Sequence, residues 1–384
     1  MSLRGKVAIV GIGETAYGKG LLQSERELAV EAILAALADA GIAPGEVDAL
    51  SSYTMEQTPD FEIVRNVGLG PLHYFSQAPH GGGAGPAAVG HAAMAIACGI
   101  ARTAVVWRAR KRSGAASRVW AQTAPILEDH WKWSRPSGLL RPVDEVALIT
   151  RRYFHEYGDA TDALAEIAVR LREYACANPR AMMHGRPISH EDYYRSRMVA
   201  EPLRLFDNCL ESDGAAAIVL TSAERARDLP GKAVLIEAFS QGLIPGHQSM
   251  ADFHRAEALT SSSSITAANL WRQTDLRPGD VDVAQFYDAF SPLVLFSLEA
   301  YGFCGRGEAR DFVLSQGIGP RGRLPVNTAG GSLSEAYMHG MNLIVEAVRQ
   351  LRGTASTQIP DARVALVTGC DATPNGALLL RTPS

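Results

Sequence analysis

The chain has 384 residues, 47% of them hydrophobic and 20% charged, with a formal net charge of −4. This is ordinary globular composition with enough length for two domains of normal size, and its slight acidity gives no electrostatic reason to expect a nucleic-acid partner. The five cysteines (Cys98, Cys176, Cys209, Cys304 and Cys370) are scattered without a C-x-x-C pair, which points to reduced thiols in a cytoplasm and away from a zinc site. The first six residues lead straight into a strand without an apolar signal core, and no stretch reaches the ~20 apolar residues of a membrane span.

Val7 to Gly13 reads as a buried strand and turn that almost spells a dinucleotide fingerprint, Gly11-Ile12-Gly13. A Rossmann site needs its helix to begin inside that glycine set. Here Tyr17 to Gly20 intervenes and the helix is expected near Ser24, with Glu27 placed for a capping box, so the glycines read as flexible backbone. Glu27 to Ala40 is amphipathic, Gly41 ends it, and Pro44-Gly45-Glu46-Val47-Asp48 leads into the next strand. The same module returns as Pro278-Gly279-Asp280-Val281-Asp282, an offset of 234 residues. Gly81 to Gly85, a helix over Ala87–Cys98 and a strand over Thr103–Trp107 are echoed late in the chain. There the order is Gly330-Gly331, a helix over Met341–Leu351 and a strand over Arg363–Thr368. Two matches in the same order indicate an internal duplication of βαβ-rich units with a mostly parallel sheet. The halves are expected at 1–230 and 231–384.

An inserted loop region, about 108–200, interrupts the first half. It opens on the basic run Arg108-Ala109-Arg110-Lys111-Arg112, holds Trp120, Trp131 and Trp133, and contains one clear helix over Asp162–Ala177. The basic run reads either as a phosphate-holding segment or as a solvated loop, and the region as a lid. Ser212 to Leu220 is a small-residue turn into a buried strand, and the polar run Thr221 to Gly231 reads as helix and linker.

No G-x-S-x-G, H-E-x-x-H or P-loop is present. Instead, two stretches each place a tyrosine at a strand-to-helix junction, where α/β sheets bind ligands. One is Phe286-Tyr287-Asp288-Ala289-Phe290. The other runs from Asn327 through Gly330-Gly331 to Tyr337, His339 and Gly340. The two tyrosines are expected to face one pocket. His339 reads as either structural or catalytic, and Cys370 as a small buried hydrophobe.

These features together resemble the thiolase superfamily over nearly the whole chain. The resemblance is closest to the sterol-carrier-protein-X branch, whose members carry a similar N-T-x-G-G…E-x-Y-x-H-G-x-N run. It implies a duplicated five-layered αβαβα fold, α/β in class, and a homodimer. The departures carry the function. The thiolase nucleophile position aligns with Gly82 in His80-Gly81-Gly82-Gly83, where no sulfur stands. Thiolases carry N-E-A-F where this chain has Tyr287-Asp288-Ala289-Phe290, and G-H-P where it has Ala336-Tyr337-Met338. Cys370 falls near the thiolase acid/base cysteine, but the loop after it lacks the usual glycines.

The bacterial lipid-transfer-protein-type aldolases of steroid side-chain degradation share these changes. Resemblance to them implies retro-aldol cleavage of a β-hydroxyacyl-CoA by Tyr287 and Tyr337. Coenzyme A would enter as part of the substrate, without a permanent cofactor or a metal. It also implies an accessory protein built from an OB-fold and a zinc ribbon, in a heterotetramer or similar complex. His339, Asn327 and the backbone N–H groups at Gly82-Gly83 and Gly330-Gly331 are then the candidate oxyanion and substrate-binding groups. A cysteine-dependent acyltransferase using Cys370 or another thiol, or a non-catalytic acyl-CoA carrier, are the competing expectations.

Overall fold

Among the described residues the strands β1 (Val7–Glu14), β2 (Ala49–Tyr53), β3 (Tyr74–Ala78), β4 (Thr103–Lys111), β7 (Asp213–Ser222), β8 (Val234–Gly242), β9 (Val283–Gln285), β10 (Val364–Thr368) and β11 (Asn375–Arg381) join into one mixed nine-stranded sheet, while β5 (Met198–Ala200) and β6 (Leu203–Arg204) form a separate hairpin. The order across the large sheet is β3-β2-β4-β7-β1-β8-β11-β10-β9. This computed structural model describes residues 3–112, 131–246, 255–371 and 373–383.

The link between the two halves of the sheet is narrow. β1 meets β8 through Ala8↔Leu235 and Ile9↔Val234. On the first side β2, β3 and β4 run parallel, and β7 and β1 run antiparallel to their neighbours. On the second side β9 and β10 are parallel and β11 and β8 antiparallel, so antiparallel pairs are in the majority and the sheet is not the mostly parallel one that the βαβ pattern predicts. The repeated Pro-Gly motifs do the same work in both halves. Asp48 accepts from the N–H groups of Arg102 and Thr103 at the start of β4, and Asp282 accepts from Arg363 and Val364 at the start of β10. Each aspartate thereby ties the entry of one strand to the entry of its parallel neighbour.

Strand alternation builds the layers. Val7 and Ile9, Val106, and Ala216, Ile218 and Leu220 point into one core; Ala8 and Val10, Val105 and Trp107, and Ala215, Ala217 and Val219 point into the other. The second core is closed by the helix Glu25–Ala40 on the outside of β1, β4 and β7. The first is filled by the helices Ala84–Ala97 and Met341–Arg352, which lie between the two halves of the sheet, and Ser262–Trp271 covers β8 and β11 on the far side. The result is the expected sequence helix, sheet, helix, sheet, helix.

Three local expectations are revised. Gly11 and Gly13 form no turn, because β1 runs unbroken to Glu14. Their missing side chains let the first helix lie against the strand: a Cβ would stand 2.1 Å from the Ala36 carbonyl oxygen at Gly11 and 2.2 Å from that of Ala32 at Gly13. Ser24 caps that helix through the Glu27 N–H (3.2 Å) and Glu27 answers to the Ser24 N–H (2.7 Å), as the capping box predicts. Thr221 to Gly231 holds only the end of β7 and a short 3-10 turn, Arg225–Asp228. The largest revision is the basic run. Arg108 to Lys111 is neither a solvated loop nor the start of an insertion. These residues continue β4 in antiparallel register with β7, Arg108 opposite Ala216 and Arg110 opposite Gly214. Beyond β4, helices at Pro142–Tyr157 and Thr161–Ala177 are described; Trp120 lies outside the described residues, and Trp133 is exposed.

Candidate active site

The site is built where β9 and β10 end. Tyr287 follows β9 and its backbone N–H donates to Thr368 Oγ1 (3.2 Å) at the end of β10, which fixes the ring at the carboxyl edge of the sheet. The next residue, Asp288, is buried and accepts from the N–H groups of Ser332 (2.8 Å) and Leu333 (3.3 Å), joining the two tyrosine-bearing segments. Burial pushes its carboxyl up to about 6, against the pull of those donors. Gly331 must lack a side chain here, since its φ is +59° and a Cβ would lie 2.2 Å from Asp288 Oδ2. Asn327 donates through Nδ2 to the Phe286 carbonyl (2.8 Å), and its own carbonyl takes the Gly330 N–H (2.8 Å). Asn327, Gly330 and Gly331 therefore build the clamp. The Gly330 amide is spent within its own turn, which removes it from the expected oxyanion donors.

Tyr337 arrives from the other segment. Its N–H donates to Ser212 Oγ (3.0 Å), the residue that opens the small-residue turn before β7. His339 (φ +49°) and Gly340 (φ +85°) are both left-handed and swing the chain into the helix Met341–Arg352. Asn342 holds that turn by donating to Glu335 Oε2 (2.9 Å) and the Ala336 carbonyl (3.0 Å).

The outcome is a hydrogen bond of 2.6 Å between Tyr287 Oη and Tyr337 Oη, with the rings edge to face and centroids 6.1 Å apart. Burial raises both phenols above the ordinary tyrosine range. For Tyr287 the neighbouring Tyr337 and Cys370 add to the rise, whereas for Tyr337 the Arg110 cation and the bond from Tyr287 oppose it. Both hydroxyls are neutral at physiological pH.

Gly82 explains why no side chain shares this space. A Cβ there would stand 2.6 Å from Tyr287 Cζ and Oη and 2.7 Å from Cys370 Cβ. Tyr287 thus fills the position that a nucleophile on the glycine turn would need. The Gly82 carbonyl accepts from the Cys370 N–H (3.0 Å), so the two segments are stitched together behind the phenol. Gly83 is required by the Pro374 carbonyl, 1.9 Å from a would-be Cβ, and its N–H donates to the His80 carbonyl (2.8 Å). The Gly83 amide is thereby also removed from the expected oxyanion donors. Cys98 caps the far end of the helix Ala84–Ala97, at the surface.

A buried basic cluster stands on the other side of Tyr337. His339 Nδ1 accepts from Arg108 Nε (3.2 Å) and Nη2 (3.0 Å), and Arg110 Nη1 lies 3.1 Å from its Nε2. Arg108 is paired with Glu56 at 2.6 Å, both side chains fully buried. Burial pushes Glu56 up to about 7, with Arg108 pulling the other way. Burial and the two arginines hold His339 well below the usual histidine range, so the imidazole stays neutral. The Arg110 guanidinium carbon sits 4.6 Å from the Tyr337 ring centroid. None of Arg108, Arg110 and Glu56 was expected here. The available signal was the row of small residues, Gly214 to Ala217, which leaves room across β7 for long side chains on its partner strand.

Among the described residues no group of three or more His, Cys, Asp or Glu side chains could hold a metal ion, and no helix is long and apolar enough to cross a membrane.

Comparison with known proteins agrees with this geometry. Residues 245–378 match the family model described as "Thiolase C-terminal domain-like". The chain is 45% identical to the 17-hydroxy-3-oxo-4-pregnene-20-carboxyl-CoA lyase of Mycobacterium tuberculosis, over 98% of this chain and 100% of that protein. It is 44% identical to the steroid side-chain-cleaving aldolase of Thermomonospora curvata, over 98% of each. Among solved structures it superimposes on the Ltp2-ChsH2(DUF35) aldolase with a TM-score of 0.93 and 42% identity, covering 100% of this chain and 99% of that one. With its nucleophile position closed by a tyrosine and its sequence shared end to end with these aldolases, the chain belongs to the thiolase superfamily, in the branch of the steroid side-chain-cleaving aldolases.

Proposed function

We propose that this protein is a carbon–carbon lyase that cleaves a β-hydroxyacyl-CoA by retro-aldol chemistry, with a steroid side-chain thioester as substrate. The observation that carries the reading is the Tyr287–Tyr337 hydroxyl pair at 2.6 Å in the place where a thiolase cysteine would need room. The substrate named for the M. tuberculosis relative has its hydroxyl on carbon 17 and its CoA carboxyl on carbon 20. Its hydroxyl is therefore β to the thioester carbonyl, the arrangement a retro-aldol step requires.

In that step the hydroxyl proton leaves and its oxygen becomes a ketone or aldehyde carbonyl. The bond between the α- and β-carbons breaks, its electron pair delocalises into a thioester enolate, and the α-carbon then takes a proton. Two touching phenols suit this balance. One takes up the hydroxyl proton while passing its own across the 2.6 Å bond, and the other delivers its proton to carbon, so the pair ends as it began, with no standing phenolate. His339, neutral and held between Arg108 at Nδ1 and Arg110 at Nε2, stands beside Tyr337 as the support for the enolate end of the site. No acyl-enzyme forms, so replacing each of the five cysteines in turn by alanine is expected to leave cleavage within about threefold of wild type, checked by steady-state assay without added CoA. Loss of activity on replacing Cys370 would return the protein to the cysteine-dependent acyltransferases.

The active assembly in this reading is a homodimer joined to an OB-fold and zinc-ribbon accessory protein, in the cytoplasm. Two features support the dimer: β3 is the outermost strand on its side of the sheet, and Phe75 on it is 68% exposed. The name of the structural relative, which joins Ltp2 to ChsH2(DUF35), supports the accessory chain. Light scattering at micromolar concentration is expected to give twice the chain mass, and a monomer would contradict the dimer. Purified alone, the chain is expected to be poorly active until the accessory protein is added; full activity of the isolated chain would contradict that requirement.

A further inference from the structure

Arg110 lies on β4 with its side chain buried, yet among the described residues no carboxylate pairs with it. Its neighbour Arg108 differs, being matched by Glu56. Arg110 Nε has no hydrogen-bond partner, and Nη1 reaches only neutral groups, His339 Nε2 at 3.1 Å and the Tyr337 carbonyl at 3.5 Å. An unmatched buried cation is expensive to maintain, and it is retained where something beside it becomes negative. The group beside it is the Tyr337 ring, 4.6 Å from the guanidinium carbon.

Resting on the lyase reading above, we infer that Arg110 is a positioning residue that holds a standing positive charge against Tyr337 while its phenol gives up and regains a proton. Among the described residues Arg110 is the cation that lies against the Tyr337 ring. Tyr337 faces Tyr287 and Cys370 from the second half, Cys209 from the loop before β7, and His339 from its own turn. The two phenols are neutral, burial pushes the Cys209 thiol up to about 12, and His339 is uncharged. Arg108 is spent on Glu56 and His339, while Tyr53 packs under Arg108 and His339. The Arg112 guanidinium also acts on Tyr337 through space, but it is only half-buried and no ring contact with Tyr337 brings it against the phenol as Arg110 is brought. The inference also gives the two tyrosines different characters: negative charge gathers on Tyr337, beside the cation, and Tyr287 is its hydrogen-bond donor.

The test uses the full chain with its accessory partner and compares wild type, Arg110→Met and Arg110→Lys on a β-hydroxyacyl-CoA. Arg110→Met is expected to lower kcat at least about tenfold with KM nearly unchanged and to move the alkaline limb of the kcat profile to higher pH. Arg110→Lys, which keeps the charge, is expected to recover most of the loss. A fluorinated tyrosine at 337, whose phenol is more acidic, is expected to restore rate to Arg110→Met. An effect confined to KM assigns Arg110 to substrate binding and overturns the inference. So does a folded Arg110→Lys as inactive as Arg110→Met, or an unchanged pH profile. If Arg110→Met does not fold, Arg110→Lys and the fluorinated tyrosine in the wild-type background decide: an alkaline limb that does not move to lower pH with the fluorinated phenol overturns the inference. A wild-type enzyme that fails to cleave the substrate overturns the lyase reading itself, a different result from active wild type with unaffected variants.

Discussion

Replacing either phenol by a phenyl ring, Tyr287→Phe or Tyr337→Phe, is expected to lower kcat by at least ~10²-fold, the effect of losing a positioned acid, base or oxyanion donor. The two hydroxyls form one hydrogen-bonded unit at 2.6 Å, so the double variant is expected to be little worse than either single one. Phenylalanine keeps the ring and its packing, and each substitution removes one hydroxyl worth about 1 kcal/mol of folding stability. The variants should therefore bind substrate and melt close to wild type while failing to turn over. Steady-state kinetics beside thermal melting checks both halves of the expectation. Single variants that retain more than a tenth of wild-type kcat would remove the pair from the chemistry.

The second large effect is expected at Gly82. Reintroducing a thiolase-like cysteine, Gly82→Cys, does not convert the protein into a thiolase. Gly82 is not left-handed, so the backbone accepts a side chain; the obstacle is Tyr287, whose hydroxyl oxygen lies 2.6 Å from the new Cβ, with the Cys370 Cβ at 2.7 Å on the other side. Room is made by displacing the phenol or the turn, an overpacking cost of about 1–3 kcal/mol. A displacement of ~1 Å is enough to lower turnover ~10²-fold. Gly82→Ala is expected to show the same loss without a thiol, which separates crowding from sulfur chemistry. Pairing Gly82→Cys with Tyr287→Ala is expected to relieve the melting defect and leave cleavage absent. Acyl transfer to free CoA by Gly82→Cys alone would show that the tyrosine does not close the site.

Much of this arrangement is legible in the amino-acid sequence itself. The two copies of Pro-Gly-x-Val-Asp identify the duplication because each aspartate must satisfy the first amides of a neighbouring strand, a role that fixes residue type and spacing together. Tyr287 is legible because it follows a strand end and Tyr337 because it precedes a helix, although a short helix, Gly331–Ser334, and not the expected strand stands before it; the absent nucleophile is legible because glycine at 82 is visible in the letters. Other features depend on contacts that sequence distance hides. Arg108 and Arg110 look like a solvated run until His339, 231 and 229 residues away, is seen to turn them inward, with Glu56 taking up one of the charges. The glycine loops promised free amides for an oxyanion, but turn geometry returns the Gly83 and Gly330 donors to local carbonyls. Gly11 and Gly13 imitated a nucleotide loop because close packing of a helix on a strand and close approach of a phosphate demand the same missing side chain.

The central claim is cleavage without a covalent acyl-enzyme, and one experiment addresses it directly. The chain with its accessory protein is mixed in deuterated water with a 17-hydroxy steroid 20-carboxyl-CoA, free CoA is left out, and both products and intact protein are followed by mass spectrometry. The account predicts a ketone and a shorter acyl-CoA in equal amounts, one solvent-derived deuteron on the α-carbon of that acyl-CoA, and no added mass on the protein. Turnover that requires free CoA and passes through an acyl adduct on the enzyme would contradict it.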